Sequence, residues 1–429
     1  MDTFRRNTLA FFLVFSLMTT PLSAFAVGAP TLTLAQKVQA LAAAVGRLGG
    51  YRSSAWLSHE DRTDVIESAV AWLVAAQEED GHFRYEYMPY EDRYLDDDNI
   101  VRQAGAFYEL GEVLRRGQGD EEAITEAMFS SIGYFASLTQ EGIYEGKSFR
   151  CVTDPTSPAR CKLGATALAL VGILSFVESE YYQTHYDDDL ADPDGKDYGH
   201  LTSGYASFLT ALQKENGGFR STFVFGRDVQ SDTESSYANG EAFLALARYE
   251  QYRSDEKIQR SLDTAFQHLK NDVPFDIPLY LWVMAALVDI NAQEPRPEYE
   301  AYARAYTDWR MAGFTDMRET KHNMCAYLEG IVLGYDVFDG SLPPSARAPY
   351  RDEIEFWLAK ERALQVAGRD RYRVMFDGRT ASFAMIADPE RAYGGFLTGE
   401  EEFTQRIDFT QHCLNSYLVW DDVQEDDSQ

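Results

Sequence analysis

The chain has 429 residues, 45% of them hydrophobic, with 39 basic against 69 acidic side chains and a formal net charge of −30. So acidic a surface repels nucleic acid and anionic lipid, which leaves a neutral or cationic partner, and net charge of this size serves solubility before partners. The length exceeds the usual single domain, although toroids and barrels reach it as one unit.

Arg5 and Arg6 precede the apolar run 9–18, and Ala24-Phe25-Ala26 follows as a small-x-small site. This pattern predicts a secretory signal peptide over 1–26, too short in its apolar part to span a membrane. Removing it takes away Asp2, Arg5 and Arg6, a net of +1, so −30 becomes −31. No later stretch approaches the roughly 18 apolar residues a span needs. An exported chain, periplasmic or secreted, is expected, with no membrane span.

Residues 27–60 read as a helical lead-in, with a helix over 34–41 and a break at Gly46, Gly49 and Gly50. From 61 to 420 the text becomes regular and predicts one domain of paired helices. The first of each pair is apolar on one face: 64–77, 121–138, 201–212, 257–269, 298–309 and 352–367. The second is apolar on more of its circumference: 99–116, 163–177, 239–252, 278–290, 323–335 and 409–420. About six such pairs suit a ring with an outer and an inner helix layer, because inner helices touch neighbours on most sides. The intervals 80–97, 181–198, 219–234 and 368–405 read as long loops. Residues 421–429 read as an acidic disordered tail.

One punctuation mark recurs. Segments 72–83 and 208–219 both read aromatic-Leu-x-Ala-x-Gln-x-x-Asp/Asn-Gly-x-Phe, and Tyr393-Gly394-Gly395-Phe396 repeats the turn alone. The Asp/Asn-Gly step supplies a helix stop at positive φ, from which the Phe folds back onto the helix just ended. This turn, with the helix pairs over residues 60–420, resembles that of the α/α-toroid proteins. They include terpenoid cyclases, protein prenyltransferases, polysaccharide lyases and six-hairpin glycosidases. The resemblance implies an all-α (α/α)6 toroid. Its motif is structural and carries no catalytic identity, and the acid motif of squalene-type cyclases is missing, Asp96-Asp97-Asp98 being similar only on the surface.

If the inner helices run parallel, their N-termini share one mouth, with free N–H groups and positive dipole ends. Four groups of polar residues collect there. Asp97 and Asp98 lead into Asn99, with Arg102 one turn on; they either cap the helix or bind and activate a substrate. Glu234, Tyr237 and Glu241 open the third inner helix, and Glu241 lies in an apolar run where a carboxyl is either paired or functional. His322 opens the fifth, a helix cap or a general acid–base, and Glu329 follows inside an apolar stretch. Arg406, Asp408, Gln411 and His412 open the last, as a capped salt bridge or as part of a site.

Four cysteines remain after the leader. Cys151 and Cys161 flank a Pro/Ser/Thr/Asp loop and are expected to form a disulfide in an oxidising compartment. Cys325 and Cys413 pair only if their helix ends are neighbours. With His322 and His412 they offer a zinc set, but export favours the disulfide, so neither metal nor other cofactor is expected.

The expected function is action on an envelope or extracellular carbohydrate, chosen on the resemblance. Hydrolysis by a carboxylate pair leads, with Asp97, Asp98, Glu234, Glu241 and Asp408 as its members; Asn99, Arg102, Tyr237, Arg406, His322 and His412 bind or orient. The alternatives are a lyase or uronate epimerase, in which His322 or a Tyr takes a proton while Arg102 and Arg406 neutralise the uronate, and a toroid that binds a glycan or protein without chemistry.

Overall fold

The computed structural model describes residues 57–426 apart from 187–189, 191–197, 228, 314–323, 368–370, 377–378, 385 and 400–403. Six helices form an inner ring: α2 (Ile100–Arg115), α4 (Leu163–Glu178), α7 (Ser236–Tyr252), α9 (Ile277–Gln293), α11 (Met324–Phe338) and α14 (Ile407–Asp426). Each packs on the next, and α14 returns to α2, so the ring closes. Each is preceded by an outer helix: α1 (His59–Ala75), α3 (Glu121–Ser137), α6 (His200–Leu212), α8 (Glu256–Asn271), α10 (Pro297–Gly313) and α12 (Pro344–Arg362). The molecule is an all-α (α/α)6 toroid, with short helices α5 (Glu180–His185) and α13 (Pro389–Ala392) in its connections.

The two layers follow from the side chains. On α8 the buried residues are Ile258, Ser261, Leu262, Ala265, Phe266, His268 and Leu269, one stripe at three- and four-residue spacing. On α4 every residue from Leu163 to Phe176 is buried, because α2, α7, α3 and α6 surround it.

The recurrent turn clamps the layers together. Gln77, Gln213 and Gln365 each bridge to the Phe of their turn, at Phe83, Phe219 and Phe396. The Gln77 amide donates to Ala127 O and Ser131 Oγ of α3, at 2.9 and 2.8 Å. Gln213 donates to Ser261 O of α8 at 2.9 Å, and Gln365 to Val65 O and Ser68 Oγ of α1 at 2.9 and 3.0 Å. The turn glycines have φ of 91°, 99° and 91° at Gly81, Gly217 and Gly394. Each lies so close to a carbonyl of the next outer helix that a Cβ would collide. The Phe amide then donates to the fourth residue of the following inner helix: Gln103, Asn239 and Thr410. In the third copy 27 residues lie between Gln365 and Tyr393-Gly394, which is why the sequence pattern shows the turn without its glutamine.

Antiparallel strands form in the connections that lead into the inner helices. β1 (Glu86–Met88) pairs β2 (Arg93–Tyr94) and also β9 (Gln405–Arg406), tying the first interhelix loop to the start of α14. β3 (Thr139–Tyr144), β4 (Lys147–Asp154), β5 (Ser157–Lys162) and β6 (Thr222–Val224) form a second sheet. A hairpin of β7 (Arg371–Phe376) and β8 (Arg379–Ala384) lies in the last long connection. Cys151 and Cys161 are bonded across β4 and β5. Cys325 and Cys413 are bonded between α11 and α14, with Cα atoms 4.5 Å apart. Their sulfurs are therefore not open zinc ligands in this state, and His322 lies outside the described residues.

Several boundaries differ from the sequence reading; α1 begins at His59, five residues before the expected start, where Ser58 caps it. α12 begins at Pro344, eight residues before the expected start, because a proline is well placed in a first helical turn and Pro349 is accommodated inside. The acidic stretch after 420 continues α14 to Asp426: Asp421 is buried and accepts from Arg62 of α1, and Val423 is buried beside it.

Candidate active site

The N-termini of all six inner helices face the same end of the ring, and one level inside it carries unusual chemistry. Glu241, Trp282, Glu329 and His412 are each the sixth residue of their helix. All are buried. The Trp282 Cβ packs against Gly240, and its ring lies 5.9 Å from the His412 ring. His412 Nδ1 is 2.5 Å from Glu329 Oε2, and Asn415 Nδ2 donates to Glu329 Oε1 at 2.7 Å. With Nδ1 bound by the carboxylate, Nε2 is the ring's accepting nitrogen. It has no partner among the described residues.

Glu241 also has no hydrogen-bond partner among the described residues, although it is only 3% exposed. Its Oε2 occupies the space where a Cβ on Gly164 would sit, 2.0 Å from it, so the glycine makes room for the carboxyl. Burial pushes the Glu241 carboxyl up to about 7, with the Arg102 guanidinium drawing it partway back.

Above this level lies an ion cluster. Arg406 grips Asp408 with both ends of its fork, Nε to Oδ1 at 3.0 Å and Nη2 to Oδ2 at 2.6 Å. The same guanidinium stacks over Tyr85 and Phe409, 5.1 and 4.8 Å from the ring centroids. Arg102 reaches Asp408 Oδ2 through Nε, also at 3.0 Å. Gln411 is buried with its Oε1 against Gly105, and its Nε2 donor has no partner.

Below lies a second, different cluster. Arg248 binds Asp289 with two bonds of 3.0 Å and Glu112 with one of 2.9 Å. Arg115 and Arg116 hold the other Glu112 oxygen at 2.8 Å, and Ser175 donates to the first at 2.6 Å. Burial works to raise the Glu112 carboxyl, but Arg115, Arg248 and Arg116 overcome it and keep it well below the ordinary carboxylate range. Between the clusters Glu109 is fully buried with neither oxygen partnered. Burial and then Glu329 and Glu112 push its carboxyl well above its ordinary range.

Of the residues singled out in the sequence, Arg102, Glu241, Arg406, Asp408 and His412 gather at this end of the axis. Asp97, Asp98 and Asn99 build the opening of α2: Asp97 accepts from Asp98 N, Asp98 from Asn99 N and Gln103 Nε2, and Asn99 caps Val101 N. No contact joins the two aspartates to Glu241 or Asp408 among the described residues. Glu234 is committed to Lys214, Asn239 and His268; burial is outweighed by those bonds, which hold its carboxyl down at about 2. Tyr237 stands half exposed at the start of α7. Trp282, Tyr108 and Glu109 escaped the sequence reading, the first two because an aromatic on an apolar helix reads as core. Glu109 carried a readable signal: a carboxyl between Tyr108 and Leu110 on a helix buried all round.

No family model matches this chain, and no curated protein matches it. Solved structures do resemble it. A GH76 α-mannanase of Bacteroides thetaiotaomicron superposes with a TM-score of 0.54 at 8% identity, covering 85% of this chain and 97% of its own. A D-mannose isomerase gives 0.54 at 11% identity, with 86% and 100% covered. Cellobiose 2-epimerase of Bacillus thermoamylovorans B4167 gives 0.54 at 9% identity, with 83% and 98% covered. At these identities the likeness defines the fold alone: the chain has the α/α toroid that these structures share.

Proposed function

We propose that this chain is an exported carbohydrate-active enzyme that hydrolyses a glycosidic bond at the level of Glu241 and His412. One observation carries the reading. A buried carboxyl without a partner, half protonated near pH 7, shares a level of the ring axis with an imidazole oriented by a carboxylate. Environments that separate a proton donor from an acceptor in this way assign the acid and base roles. Glu241 donates its proton to the leaving glycosidic oxygen as the C–O bond breaks. Water attacks the anomeric carbon and gives its proton to His412 Nε2, while Glu329 stabilises the imidazolium. Exchange with solvent then restores both groups. The pair is thus a carboxyl and an imidazole. Asp408, occupied by two guanidiniums, serves to hold Arg102 in place rather than as the second carboxylate of the expected pair.

The leader over 1–26 and the bonded pairs Cys151–Cys161 and Cys325–Cys413 support export. The structural neighbours, among them mannanases, a sugar epimerase and a mannose isomerase, support sugar chemistry in general. An imidazole base also suits removal of a proton from a sugar carbon, with Glu241 returning one, so epimerisation or isomerisation is the second reading. The test is incubation with a panel of envelope and plant oligosaccharides in D2O. New reducing ends without carbon-bound deuterium are the expected result. Carbon-bound deuterium without new reducing ends would move the assignment to epimerisation or isomerisation, and binding without either product would remove the enzymatic reading.

A further inference from the structure

Arg102 is held loosely. Its Nε lies 3.0 Å from Asp408 Oδ2 as an ion pair without an aligned hydrogen bond, Tyr85 is its other polar neighbour, and the oxygens of Asp408 are filled by Arg406. The two Nη groups, the end of the fork that grips a carboxylate with paired bonds, have no anionic partner among the described residues apart from Glu241 nearby. The Arg102 side chain is 31% exposed, so the fork is reachable from the mouth. A second donor is idle beside it: the Gln411 Nε2, buried and unpartnered, on the same helix as Asp408. The groups around them are Tyr85, Glu86 beside Arg406, and the Lys162–Asp154 pair at the start of α4. Six helix N-termini direct their positive ends here as well. By contrast Arg406 has no free fork, because Asp408, Tyr85 and Phe409 occupy it.

Taking the carbohydrate reading as its basis, we propose that the sugar bound at this site is a sugar acid, its carboxylate held by the Arg102 Nη fork and the Gln411 amide beside Glu241. The arrangement couples binding to pH. A bound carboxylate favours the protonated form of Glu241, so affinity falls as pH rises through about 7 and Glu241 ionises.

The experiment is calorimetric titration of the whole mature protein with uronate-containing oligosaccharides and with the same oligosaccharides after reduction of their carboxyls to alcohols. The wild type should bind the acidic forms at least about tenfold more tightly, the value of a charge-assisted pair. R102Q should lose that preference, and R102K, which keeps charge without the fork, should retain only part of it. Should R102Q not fold, Q411L supplies the test with a smaller loss. Equal binding of acidic and reduced forms would overturn the sugar-acid assignment while leaving the carbohydrate reading intact. Binding of no sugar in the panel would remove both.

Discussion

The two ends of the ring axis use charge in opposite ways. At the lower cluster every strong group is answered: Arg248 is shared between Asp289, Glu112 and Ser175, and Glu112 receives Arg115 and Arg116 as well. At the upper level Glu241 and the Gln411 Nε2 are buried with no hydrogen bond among the described residues, and Arg102 Nε lies 3.0 Å from Asp408 without an aligned hydrogen bond. Arg248 follows Glu241 by seven positions on α7, about 10 Å along the helix. Buried polar groups left unanswered are costly, so a fold that answers them at one level and not at another marks the second level for a ligand.

Substitutions that act at one end alone sharpen the contrast. E241Q removes the proton donor and is expected to lower kcat about 10²- to 10⁴-fold with no loss of stability, measured as initial rate on the substrate found by the oligosaccharide panel. An activity within a factor of a few of wild type would remove Glu241 from the chemistry. R248A does the reverse: it leaves the buried Asp289 carboxylate unanswered and takes one of three guanidiniums from Glu112, and should cost about 3–5 kcal/mol in denaturant unfolding. A loss under about 1 kcal/mol would show that the lower cluster is not structural. The mildest change lies in the outer layer, far from either. S261A leaves the Gln213 carbonyl without the 2.6 Å bond from Ser261 and should cost about 1 kcal/mol, with kcat unchanged.

The architecture was legible because it rests on repetition and on one-sided versus all-round apolar patterning, both of which are local. The Gln-x-x-Asp/Asn-Gly-x-Phe turn could be read as punctuation, although the bond from Gln213 to Ser261 on the next hairpin could not. The strands at the mouth were illegible because stretches such as 139–144 and 147–154 owe their pairing to the helix ends beneath them, not to a strict alternation. Glu241, Asp408, Arg102 and His412 stood out in the sequence because charge in an apolar helix opening is conspicuous, and the fold brings them to one end of the axis. Asp97 and Asp98 stood out for the same reason, and the fold places them in the hydrogen-bond frame of the helix start. Trp282 offered no signal, since only the closing of α14 onto α11 and α2 brings a ring beside His412.

The claim that the upper level is poised for chemistry rests on the state of Glu241, which can be measured without any substrate. Its carboxyl is neutral in the folded chain up to about 7 but ionises near 4.5 when unfolded. A group raised in this way contributes stability that is complete below the unfolded value and is lost as pH rises through the folded one. The decisive measurement is the unfolding free energy of wild type against E241Q from pH 4 to pH 8.5. The expected result is a constant difference below about 4.5, then a progressive loss by the wild type relative to E241Q that approaches about 3 kcal/mol above pH 7. Parallel curves across the whole range would contradict it, because Glu241 would then titrate as an ordinary surface carboxyl.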